Sequence, residues 1–459
     1  MKTCLLASVC VGLAAATTAA SAEMIFIPDA NTDRVLKFNA EDGTYKGMLD
    51  PLVTSPNGIL VDAEMGPDGL LYCLIYDNGA GQINRVDPVD GTYKGSLAGG
   101  GFLSFPYSLE VGEDGTAYVS QFQGGVLKFE AATGTYKGTL GTGFWTSTWP
   151  AGLALEDSTG ILYVTNNSVS GSANVLKFEA ATGTYKGAIG TGFAGSSGFY
   201  GLEVSTDGML YAVAGDTSGS GTYKVLRFET ATGTYKGALA TGFYQGGNGG
   251  GIAISSANQL YLPNLTSVNQ WCSFRFDAAD GTYRGHLGFG FFTFTYGIAM
   301  ERQLAASGNV ILDQYDPGHY AGTPLAYEIR DDVTNEILGS GNTTVIDAAG
   351  NYKISGLTQN RTVRVRIKCD KWLAKITAPI VAGTGPITVP TLTLLGGDSN
   401  NDNSVDLLDY FLLSDSYNLA EGDSGYDVNA DFNRDTAVDL LDYFILSDNY
   451  NAAGDVDFS

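Results

Sequence analysis

The chain has 459 residues, 44% of them hydrophobic, and a formal net charge of −24 at pH 7. That length and apolar content suit several folded cores rather than a disordered chain. The acidity argues against nucleic acid or an anionic membrane as partner, and two histidines leave few neutral-pH proton shuttles.

Residues 1–22 combine an early Lys2, an apolar stretch and a small-residue ending at Ala22, the pattern of a cleaved signal peptide. A secreted protein beginning at Glu23 is expected, with no membrane insertion, because no later stretch resembles a span. Cys4 and Cys10 leave with that segment. The remaining Cys73, Cys272 and Cys369 are scattered and odd in number, so free buried thiols are expected rather than disulfides.

From Glu23 to about Gln303 one phrase, G-T-Y-[KR]-G, recurs with its first glycine at Gly43, Gly91, Gly134, Gly183, Gly233 and Gly281, at intervals of 48, 43, 49, 50 and 48 residues. Periods of that length mark propeller blades or solenoid units. Within each period, alternating β-branched and aromatic residues between Gly/Asp turns predict four short antiparallel strands. The phrase is then the tight hairpin joining the third strand to the fourth. Its basic residue, Lys46, Lys94, Lys137, Lys186, Lys236 or Arg284, falls on the outermost strand, where charge protects a sheet edge. Six inner strands can be counted. The last, near Tyr296, lacks partners that the N-terminal stretches from Met24, Arg34 and Thr44 can supply, so a six-bladed propeller closed through both ends is expected. Segments such as "GLALEDSTGILYVTNNSVSGSANVLKFEAATG" resemble the NHL-repeat and gluconolactonase-like propellers. That resemblance implies the fold and leaves function open, since propellers host enzymes and inert platforms alike.

Residues 304–395 contain about seven strand-like stretches separated by turns and predict a β-sandwich spacer. The run beginning "TTVIDAAGNYKISGL" resembles the carboxypeptidase-regulatory-like sandwiches, with Trp372 expected in the core. From Gly396 to Ser459 fifteen acidic residues face one basic residue, Arg434. "DSNNDNSVDLLD" and "DFNRDTAVDLLD" place oxygen-bearing side chains at loop positions one, three, five, nine and twelve, the spacing by which a twelve-residue loop surrounds calcium. Two calcium ions are expected. Asp398, Asn400, Asp402, Asp406 and Asp409, with the carbonyl of Ser404, would hold one. Asp431, Asn433, Asp435, Asp439 and Asp442, with the carbonyl of Ala437, would hold the other. Leucines and aromatics at helical intervals predict a helix after each loop. The paired loop–helix units resemble a type I dockerin, which implies a cohesin-like protein partner. The departures are Asn403 and Thr436 at the usual loop glycine, and leucine pairs, Leu407 with Leu408 and Leu440 with Leu441, at the positions that recognise a cohesin. Those leucines can face a partner or pack the tail's own core.

No Ser/His/Asp or Cys/His set can be assembled, because His286 and His319 fall in different predicted domains. Gluconolactonase-like enzymes hold a metal with acids and asparagines at the channel mouth. Glu110, Glu203, Asn57 and Asn166 are candidates by type but match no such pattern. Aromatics gather between each fourth strand and the next inner strand. Phe102, Phe144, Phe193, Phe243 and Phe291 recur in place, as blade-to-blade packing would require. Trp145, Trp149, Tyr200, Tyr244 and Tyr296 do not recur and are candidates for stacking on a polysaccharide. The expected function is a secreted, non-catalytic binding or scaffold protein, docked through its tail to a surface or to a polysaccharide-degrading assembly. The alternative is a lactonase-like or lyase-like enzyme carried by that tail.

Overall fold

The structure is a computed structural model. It describes residues 23–51, 58–97, 102–122, 124–145, 148–168, 173–193, 198–215, 222–244, 251–265, 271–289, 291, 295, 297–315, 320–358, 361–383 and 387–456, so the expected signal segment lies outside them. The described residues are mostly β-strand, with two helices.

Each G-T-Y phrase forms a hairpin turn. Its first glycine holds a φ between 73° and 78° in all six copies, backbone that a residue with a Cβ resists, and its amide closes on the carbonyl four residues back, as from Gly43 to Asn39 at 3.0 Å. The second glycine lies at a β-bulge. Lys37 faces Gly47 and the next residue, Phe38, faces Tyr45, so Lys46 is the extra residue. Six antiparallel sheets result. In five of them the main strands run in chain order; in the other, Ala299–Met300 pairs with Met24–Asp29, which continues to Arg34–Asn39 and Tyr45–Leu49.

Neighbouring sheets share apolar cores. Tyr72, Leu74 and Ile83 of the second sheet pack with Val111, Val119 and Phe129 of the third. Val213 and Val225 of the fifth pack with Leu260 and Leu262 of the sixth. Ile25 and Phe38 of the first pack with Tyr261 and Leu287 of the sixth, so the last sheet rests against the first. Polar ties follow the same route. The basic residue of a third strand donates to the hairpin carbonyls of the next sheet: Arg85 to Ala132 at 3.0 Å, Lys128 to Ala181 at 3.0 Å, and Arg275 to Ala40 at 3.2 Å.

The outer basic row pairs across its own hairpin. Lys94, Lys137, Lys186, Lys236 and Arg284 each meet the acid seven residues upstream, Asp87, Glu130, Glu179, Glu229 and Asp277. Such exposed pairs add little stability. Lys46 has Asn39 at that position and instead meets Glu336 of the following domain at 3.1 Å.

Two further sheets enclose one core after Arg302. Gln303–Leu312 pairs antiparallel with Asn351–Thr358 and parallel with Ile387–Thr388 and Leu392–Leu394. Pro324–Asp331 lies between Ile337–Val345 and Thr362–Cys369. Val363, Val365, Ile367 and Cys369 alternate inward from that last strand, with Trp372 in the same core. The first of these strands starts one residue before the expected boundary at Leu304. Cys73, Cys272 and Cys369 are all buried and free. In the tail, helix α1 (Leu407–Ser416) and helix α2 (Leu440–Asp448) pack Leu413, Ile445 and Leu446 against Val405, Phe432, Val438 and Leu373.

Candidate functional site

The acidic loops of the tail share one hydrogen-bond plan. Asp406 caps α1 by accepting from Leu408 N at 2.7 Å, and Asp409 accepts from Asp406 N at 2.8 Å; Asp439 and Asp442 do the same for α2 at 2.8 and 2.9 Å. Asp409 Oδ1 also accepts from Asn400 N at 3.1 Å, as Asp442 Oδ1 does from Asn433 N. Asn400 and Asp402 fold the first loop onto the amides of Asp402 and Ser404, and Asn433 and Asp435 treat the second likewise, with Ala437 in the place of Ser404. Asn403 and Thr436, standing where a loop glycine is usual, adopt it at φ 72° and 74°.

The first carboxylate of each loop is incompletely used. Asp398 Oδ2 accepts from Lys368 Nζ at 2.8 Å and from Asn403 N at 3.0 Å, and Asp431 Oδ2 from Tyr426 Oη at 2.7 Å and Thr436 N at 3.1 Å. Both Oδ1 atoms are buried without a partner, a costly state for a carboxylate. Burial pushes Asp398 above the usual carboxylate range and Asp442 up to about 6. Among the described residues no group of three or more His, Cys, Asp or Glu side chains is gathered as a metal would require. The donor chemistry, all hard oxygen, and the two orphaned oxygens nevertheless fit a hard cation.

The leucine pairs are placed on the surface. Leu407 and Leu408 are 51 and 56% exposed, and Leu440 and Leu441 are 51 and 55% exposed. Phe411, Tyr410, Phe444 and Tyr443 are exposed beside them, so the two helices present the same apolar set, Leu-Leu-x-Tyr-Phe. Packing of the tail core falls instead to Leu413, Ile445 and Leu446.

Glu110 and Glu203 line a cavity of about 500 Å³ together with Glu64, Asp157, Glu301 and Arg302. Burial, reinforced by mutual repulsion, holds Glu110 and Glu203 well above the usual range and brings Glu64 to about 8. Arg302 donates to Glu113 and to the carbonyl of Val111. Asn166 pairs with Asn174 at 3.0 Å and is not on that lining. Asn57 and His319 lie outside the described residues. His286 meets Tyr283 Oη at 3.0 Å on an outermost strand.

The aromatic candidates separate. Trp145 is buried, donates Nε1 to Leu140 O at 3.1 Å and lies 6.1 Å from Phe178, so its ring fills a seam rather than offering a platform. Trp149 is half-buried, 6.2 Å from the exposed Phe122. Tyr200 meets Tyr223 edge-on at 5.4 Å and lines a second cavity. Tyr296 and the side chain of Tyr244 lie outside the described residues. Phe102, Phe144, Phe193 and Phe291 pack on Tyr136, Tyr185, Tyr235 and Tyr45 at 5.3, 4.8, 4.5 and 4.8 Å, each bridging to the sheet that follows, and Phe291 bridges the sixth sheet to the first.

No family model and no curated protein matches the chain. Among solved structures, an interface mutant of a type II cohesin–X–dockerin complex from Acetivibrio cellulolyticus is 21% identical over 33% of this chain and 97% of that one, with a TM-score of 0.27. The computationally designed Ika8 protein is 14% identical over 70% of this chain and 80% of its own, with a TM-score of 0.35. A chain of the mitotic checkpoint complex is 13% identical over 56% and 74%, with a TM-score of 0.38. These likenesses are distant, and the functional argument rests on this chain's own residues.

Proposed function

We propose that the protein is a secreted binding protein whose tail is a dockerin-like, calcium-loaded docking unit for a cohesin-type protein partner, and whose six sheets form a closed six-bladed propeller. The observation that carries the docking role is the pair of matching exposed surfaces on α1 and α2, each headed by two leucines. Exposed apolar side chains grouped this way mark interaction sites, and two equivalent copies offer a partner either face.

Asp398, Asn400, Asp402, Asp406, Asp409 and the Ser404 carbonyl would hold one calcium ion, and Asp431, Asn433, Asp435, Asp439, Asp442 and the Ala437 carbonyl the second. The ion would supply charge neutralisation and fix the loop that orients each helix. Supporting the propeller are the pairing of Ala299–Met300 with Met24–Asp29 and the packing of the sixth sheet on the first. Supporting secretion are residues 1–22 and the reduced, unpaired use of cysteine poses no obstacle to it. Polysaccharide at the rim would meet Trp149 and Phe122, and loss of retention on an insoluble polysaccharide in Trp149→Ala tests that ligand.

The docking role is tested by immobilising the full chain and passing a recombinant cohesin domain over it in calcium and in chelator. Retention in calcium alone, lost when Leu407, Leu408, Leu440 and Leu441 are all replaced by alanine, supports it. Retention unaffected by those replacements contradicts it.

A further inference from the structure

The cavity touched by Tyr200 is distinct from the acid-lined one. The first lies at the start of the inner strands, around Val61, Tyr107 and Tyr200, and the second at their ends, around Glu64, Glu110 and Glu203. It encloses about 280 Å³, walled by Tyr76, Phe105, Tyr107 and Tyr200, with Asp62 the one charged side chain among its described lining residues. That volume suits a small ligand rather than a polymer chain.

Three features show a site shaped around Asp62. The Asp62 carboxylate accepts from Leu109 N and Ala63 N, both at 2.9 Å, and no cation pairs with it among the described residues. Gly297, two residues before the Ala299–Met300 strand, makes room for it, since a Cβ there would lie 2.0 Å from Asp62 Oδ1. Phe105 is held at φ 49° immediately before Pro106, doubly unfavourable for an aromatic residue, and in that pose its ring stands 5.2 Å from Tyr76. Strain of this kind persists where the surrounding structure fixes it, and it clusters at ligand sites.

The uncompensated element is negative. Aromatic faces carry negative potential and attract ammonium groups. The separate acid-lined cavity at the strand ends carries Glu64, Glu110 and Glu203, with Arg302 as the cation on that lining. A sugar would ask for many hydrogen-bonding partners, whereas both Asp62 oxygens are already engaged by amides and the Tyr200 hydroxyl by Tyr223. We propose that this cavity binds a small organic cation of the alkylammonium class, its charge held by the four aromatic rings and Asp62.

Calorimetric titration of the full chain with choline and with its neutral isostere 3,3-dimethylbutan-1-ol tests this. Choline is expected to bind at least about tenfold more tightly. Burial brings Asp62 to about 7, so choline affinity rises from pH 6 to pH 8 while that of the isostere stays level. Asp62→Asn removes the discrimination. Should that variant fold poorly, Tyr76→Leu and Tyr107→Leu keep apolar volume and are expected to weaken choline more than the isostere. Absence of choline binding, equal binding of the isostere, or tighter binding of glucose or cellobiose overturns the proposal.

Discussion

Lys368 Nζ stands 2.8 Å from Asp398 Oδ2, joining the last long strand of the β-domain to the first carboxylate of the tail's acidic loop. Asp398 is fully buried and Lys368 largely so. Removing one partner of such a pair leaves an uncompensated charge and costs about 3 kcal/mol. Lys368→Met is therefore expected to lose that much in chelator. An ion held by the loop in calcium would neutralise Asp398 as well, and the loss is then expected to shrink. Urea unfolding under both conditions checks this; equal losses would mean that no ion serves Asp398.

The helix faces lead to a different outcome. Leu407→Ala with Leu408→Ala should change stability by no more than about 0.5 kcal/mol, because these side chains are exposed. One altered face leaves the other intact, so partner binding is expected to survive either pair of changes and to fail only when both pairs are made. Thermal melts and binding titrations separate the two effects.

Trp145→Ala and Trp149→Ala should part company. Trp145 fills a seam and donates to Leu140 O, so its truncation is expected to cost about 3–5 kcal/mol. Trp149, half-buried, should cost much less. Denaturant midpoints of the two variants compare them directly, and equal losses would contradict the placement.

Glu301 fixes the sign of a pH effect. Its Oε2 accepts from Met24 N at 3.0 Å, and burial brings it from 4.5 up to about 7, with Arg361 at 4.0 Å opposing the rise. Because the folded value is the higher one, the stability it contributes is complete below about pH 4.5 and is lost as pH rises through 7. Its slope is at most about 1.4 kcal/mol per pH unit. Glu64, Glu110 and Glu203 are raised too and act in the same direction. In chelator the melting temperature should fall from pH 5 to pH 8, and less steeply in Glu301→Gln. A rise would contradict this.

Local chemistry made much of the molecule legible. The turn glycines of the repeat can be read because a positive φ is a one-residue demand, and the tail helices because their caps, Asp406 and Asp439, and their apolar spacing lie within a few residues. Long-range placement was not legible. Nothing near Trp145 says that its ring will meet Phe178, and Lys46 resembles its five counterparts until Asn39 is seen to leave it without an acid, so that it reaches Glu336. The leucine pairs satisfied two patterns equally, and only the packing of Leu413, Ile445 and Leu446 shows which residues fill the tail core. The aromatic cavity joins residues from Ile59 to Gly251 across several sheets, and no contiguous motif announces it.

Calcium titration of the full chain by calorimetry tests the docking account most directly. Two ions per chain are expected, one in Asp431→Ala and none when Asp398→Ala is added, since each change removes the carboxylate whose Oδ1 is buried without a partner. Binding of the cohesin domain should follow the same series. No calcium uptake by the unaltered chain, or uptake unchanged in the double variant, would contradict the assignment of the paired loops as the metal-loaded docking unit.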